Sequence, residues 1–66
     1  MKTCNQNIEK TIDLAKIMLE LAQSGDEYRE DSGCGILFGV LRDSAYKIIK
    51  LAEAEKKAHE VKGFWP

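Results

Sequence analysis

Residues 34–52, CGILFGVLRDSAYKIIKLA, place Cys34, Phe38, Leu41, Ala45, Ile48 and Ala52 at alternating spacings of four and three. An α-helix turns once every 3.6 residues or so, so positions three and four apart return to one side, and this stripe predicts an amphipathic helix. Upstream, Ile8, Ile12, Ala15, Leu19 and Ala22 repeat the pattern. Between the two stripes lies GDEYREDSG, from Gly25 to Gly33, with four acids and one base. Two amphipathic segments joined by a short polar link fold back on each other, which predicts an all-α, antiparallel two-helix hairpin as a single domain. The expected boundaries are helix 1 at about 4–24, an acidic loop at 25–33, helix 2 at about 34–62 and an aromatic tail at 63–66.

Local signals set these ends. Thr3 can cap helix 1 with Gln6 as its capping-box partner, and Gly25 suits the left-handed position that ends a helix. Ser24 and Glu27 form a second capping-box pattern that would allow a short helical turn at 26–30. Asp31 or Ser32 can cap helix 2, and Gly63 stops it. Asp43 with Lys47, Glu53 with Lys57, Lys56 with Glu60 and Glu55 with His59 stand four apart, each pair adding about 0.2–0.5 kcal/mol to the helix. With those limits helix 2 spans about 43 Å and helix 1 about 30 Å, so the last two to three turns of helix 2 are expected to overhang.

Helix 1 carries more apolar surface than one partner helix covers. Ile8, Ile12, Leu14, Ala15, Ile17, Met18, Leu19, Leu21 and Ala22 occupy over half of its circumference, leaving Glu9, Asp13, Lys16, Glu20 and Gln23 as the polar strip. A second copy is the simplest cover, giving a homodimeric four-helix bundle. Its core and interface are assigned to Ile8, Ile12, Ala15, Leu19, Ala22, Cys34, Phe38, Leu41, Ala45, Ile48 and Ala52. Gly35 and Gly39, four apart, form a strip that allows close packing at the loop end. A chain of 66 residues buries only about 60% of its unfolded surface, so a partner subunit would also supply stability.

Composition narrows the function classes. The formal net charge is −1 and charged residues make up 32% of the chain, which fits neither a disordered segment nor an electrostatic nucleic-acid binder. Cys4 and Cys34 form no CxxC pair and read as reduced thiols. No apolar stretch follows the first seven residues and no run approaches the ~20 residues that span a bilayer, so neither a signal peptide nor a membrane partner is expected, and the address is cytoplasmic.

Each candidate site has a structural explanation. Cys34 begins a helix, which favours thiolate, but it lies on the apolar stripe beside an acidic loop and is read as buried. His59 has Glu55 and Glu60 as neighbours, too few ligands for a metal, and is read as a solvated residue on the overhang. Arg42, Lys47, Lys50, Lys57 and Lys62 gather positive charge on helix 2, but Asp43, Glu53 and Glu60 interleave with it. Phe64 and Trp65 are expected to pack on the end of the bundle, since each buries roughly 150–250 Å². No nucleophile, base and orienting group come together, so no catalytic, cofactor or metal residue is assigned. The expectation is a non-enzymatic interaction, adaptor or regulatory module that works through homodimerisation and can engage another protein. The alternatives are an RNA- or DNA-associated regulator using the Lys-rich face of helix 2, and a small metal-dependent hydrolase or sensor using the acidic loop and His59.

Overall fold

The computed structural model describes residues 2–28 and 30–66, in which two helices, α1 (Thr3–Glu27) and α2 (Ser32–Val61), pack along each other with no strand among the described residues. The hairpin is a rod of 48 × 15 × 12 Å. Its seam is built from small side chains: Ala15, Ala22 and Ala45 are fully buried, and Ile8 and Ala52 nearly so. Ile12, Leu19, Cys34, Phe38, Leu41 and Ile48 flank the seam half-buried. Alanine at the contact lets two backbones approach closely, but it encloses little apolar volume.

The first helix is longer than its turn signals suggest, whereas α2 begins and ends where Asp31 and Gly63 indicate. Gly25 does not end α1, which continues to Glu27 and closes with the Tyr28 amide donating to the Ser24 carbonyl at 3.1 Å. The reason is tertiary: a Cβ on Gly25 would stand 2.5 Å from three atoms of the Phe38 ring, so this glycine gives the ring its place against α1. Asp26, one residue on, pairs with Arg42 of α2 and ties the same turn across the hairpin. The Ser24–Glu27 pattern therefore falls inside a continuous helix, and the connection shrinks to 28–31.

The ends also differ from expectation at α1. Its cap is Lys2, in extended backbone with no side-chain hydrogen bond to the helix, rather than Thr3. At α2 the cap is Asp31, whose Oδ1 accepts from the Cys34 amide at 2.8 Å. That hydrogen bond holds the Asp31 carboxyl below its ordinary range, because the backbone N–H of Cys34 favours the ionised form. Gly63, at φ +77°, ends α2: its amide donates to the Glu60 carbonyl at 3.1 Å and the Phe64 amide to the His59 carbonyl at 2.8 Å. This is the paired 5→2 and 6→1 closure that a left-handed glycine permits.

Candidate interaction face

The polar residues and the exposed apolar residues divide the rod lengthwise. A groove runs between the helices near the open end, with Cys4, Asn7, Ile8 and Thr11 of α1 on one wall and Ile48, Leu51, Ala52 and Glu55 of α2 on the other. Steps of three and four from this groove along α1 reach Leu14, Met18 and Leu21; the same steps back along α2 reach Ser44, Leu41, Val40 and Leu37. Leu14, Leu21, Leu37, Val40 and Leu51 are each between 56% and 62% exposed. One long side of the hairpin is thus predominantly apolar, with Asn7, Thr11, Ser44 and Glu55 as its polar interruptions. The opposite side carries a polar cleft lined by Glu9, Asp13, Lys16 and Lys56.

At the open end a polar cluster joins both termini. Asn5 is fully buried, yet its side chain has a partner at each end: Nδ2 donates to the Phe64 carbonyl at 2.6 Å, and Oδ1 lies 2.6 Å from His59 Nδ1. Because the Asn5 amide nitrogen is committed to Phe64, its oxygen faces the imidazole, and His59 Nδ1 is the donor. The other ring nitrogen stands 3.2 Å from Glu55 Oε1. Phe64 stacks edge-on against His59 with centroids 6.2 Å apart, Lys2 lies 4.3 Å above the Phe64 ring and Lys56 4.9 Å above the Trp65 ring.

This cluster revises the reading of His59. The His59 side chain is 14% exposed and faces α1 rather than standing solvated on an overhang, because the first turn of α1 lies alongside it and reaches it through Asn5. The tail folds onto its own hairpin, with Phe64 and Trp65 held at the end where the two helices meet. Asn5 carries no apolar signal of its own, although it continues the stripe of Ile8, Ile12 and Ala15 at the same spacing.

The other candidates fall as follows. Gly39 meets nothing within 4 Å that an added Cβ would touch, whereas Gly25 is closely packed within the hairpin. Gly35 lies beside the mouth of the loop with Glu30, Asp31, Ser32 and Ile36. Cys34 is half-buried and Cys4 exposed, both as free thiols. Lys47, Lys50 and Lys57 are exposed on α2, as are Asp43, Glu53 and Glu60 between them. Glu27, Glu30 and Asp31 stand at the end of the rod opposite His59, and no group of three His, Cys, Asp or Glu gathers in a metal-holding arrangement among the described residues. No helix among the described residues is long and apolar enough to cross a membrane. No known protein family matches the chain, and no curated protein or solved structure does so either.

Proposed function

We propose that this chain is a non-enzymatic interaction module that works as a homodimer, two hairpins meeting through their apolar faces as a four-helix bundle. The observation that carries this reading is the one-sidedness of the exposed apolar residues, Leu14 and Leu21 on α1 with Leu37, Val40 and Leu51 on α2. A contiguous apolar patch of this kind on a small chain marks a site of association. The size of the excess fits a second copy. The accessible surface is 4946 Å², whereas a compact chain of 7.4 kDa exposes about 4200 Å². The difference, roughly 700 Å², is close to the ~800 Å² that each partner contributes to a stable interface. The alanine seam argues the same way, since it leaves each hairpin with a thin core of its own. In the dimer the charged sides face outward, where an adaptor or regulator would meet a further protein.

Sedimentation equilibrium at micromolar concentration tests the proposal. The wild type is expected to sediment as a dimer, and Leu14→Glu and Leu51→Glu to shift it to monomer. Tyr46→Glu is expected to leave the dimer intact, because Tyr46, exposed on the flank that carries Arg42, lies off the apolar face. A wild type that is helical, stably folded and monomeric overturns the reading.

A further inference from the structure

We infer that the two copies pair with their loops at opposite ends, the open-end groove of each receiving the loop-end side chains Leu21, Leu37 and Val40 of the other. This rests on the dimer proposed above and specifies its register. The apolar face is not uniform along its length. The groove at the open end has apolar walls of Ile8, Ile48, Leu51 and Ala52, with Asn7 and Glu55 also lining it, which leaves a depression between the helices. Toward the loop the same face presents Leu21, Leu37 and Val40, all more than half exposed. In an antiparallel hairpin of these lengths the groove and the bulky cluster lie about 18 Å apart, on either side of the midpoint of the rod.

Only one of the two face-to-face pairings matches depression with projection. With loops together, the leucines and valine of one copy meet the same residues of the other, while the two grooves face each other across a void. Overpacking and unfilled volume both cost stability, and this arrangement has one at each end. With loops opposed, a rotation about the midpoint brings Leu21, Leu37 and Val40 over the groove of the other copy, twice by symmetry. Such isologous complementarity is what a two-fold interface requires.

Charge points to the same pairing. Glu27, Glu30 and Asp31 crowd the loop end, while at the open end Lys2, Lys56, Lys57 and Lys62 outnumber Glu55 and Glu60. Opposed loops place acidic ends beside basic ones; loops together would place six of these carboxylates at one end of the bundle.

The two native thiols read the register. Cys4 stands at the open end and Cys34 at the loop end. Within one hairpin they are separated by most of its length, so a thiol cross-linker of moderate reach can join them only between copies. Opposed loops bring Cys4 of one copy to the same end as Cys34 of the other. The wild-type dimer is therefore expected to couple, and both Cys4→Ser and Cys34→Ser to lose coupling when the dimer fraction of each is cross-linked. Coupling retained in either single variant means like ends meet, and overturns the register. A wild-type dimer that does not couple overturns it as well. A monomer by sedimentation removes the dimer itself, so that failure is distinguishable from a wrong register. Leu21→Ala with Leu37→Ala supplies a second readout: emptying the projections is expected to weaken dimerisation at least tenfold with helicity retained, and an unchanged dissociation constant counts against the inference.

Discussion

Asn5 and His59, 54 positions apart in sequence, lie 2.6 Å apart through Oδ1 and Nδ1 and close the open end of the hairpin. Asn5 is the largest side chain that is fully buried, and it is polar. A buried amide with both ends satisfied is nearly neutral for stability, but removing it strands its partners. Asn5→Ala would leave the Phe64 carbonyl and a ring nitrogen of His59 unpaired, at a cost of about 1–3 kcal/mol. Thermal melting checks this. Deleting 64–66 is expected to destabilise wild type but to add little in the Asn5→Ala background, since both changes break one network.

Gly25 and Gly39 are expected to respond in opposite directions to the same substitution. An added methyl at Gly25 collides with the Phe38 ring at 2.5 Å, whereas at Gly39 it meets nothing within 4 Å. Gly25→Ala should therefore destabilise by about 1–3 kcal/mol through overpacking. Gly39→Ala should stabilise by up to about 1 kcal/mol, because alanine is the better helix former where space is open. Denaturant midpoints on the two variants check both signs, and a stabilised Gly25→Ala would mean that the ring does not sit against that glycine.

These two glycines show where sequence reasoning reaches its limit. The period of Ile8, Ile12, Ala15, Leu19 and Ala22 and its counterpart from Cys34 to Ala52 is a local signal, and it is enough to specify two helices packed as a hairpin. Gly25 next to Ser24 carries an equally local signal for a helix end, and there the contact with Phe38, 13 positions away, decides instead. His59 departs from expectation for a related reason: its surroundings depend on how the two helices are registered, and α1 runs three residues past its expected end at Ser24, to Glu27, which turn chemistry does not resolve. The division of the rod into one apolar and one charged side needs both helices in register, so only the apolar excess of α1 was legible beforehand.

Asp31 gives the fold an acid-sensitive contribution. Its carboxyl is held below the ordinary value by the Cys34 amide, so the folded state prefers the ionised form more than the unfolded chain does. The stability this supplies is complete above the unfolded value near 3.8 and is lost as pH falls through the lower folded value. Asp31→Ala should then lower the melting temperature at neutral pH, and the gap from wild type should close on acidification below the ordinary carboxyl range. Asp31→Asn, which keeps an acceptor without the charge, should retain part of the cap and lack this pH dependence. A gap that stays constant from neutral to acid pH would rule out the ionised cap as its source.

Nucleic acid is expected to bind only weakly and without sequence preference. Lys47, Lys50 and Lys57 are exposed on α2, but Asp43, Glu53 and Glu60 are exposed among them, and the chain as a whole has a net charge of −1. A lysine can displace a counterion from a phosphate, but neighbouring carboxylates oppose the same approach, so few contacts add constructively. Any retention on immobilised RNA or DNA at low ionic strength should fall steeply with salt and vanish by about 200 mM. Neutralising the interleaved acids as Asp43→Asn, Glu53→Gln and Glu60→Gln should raise the low-salt retention, which shows that the acids were limiting. A wild-type complex that persists at about 200 mM salt and distinguishes one sequence from another would instead assign this face of α2 to nucleic-acid recognition.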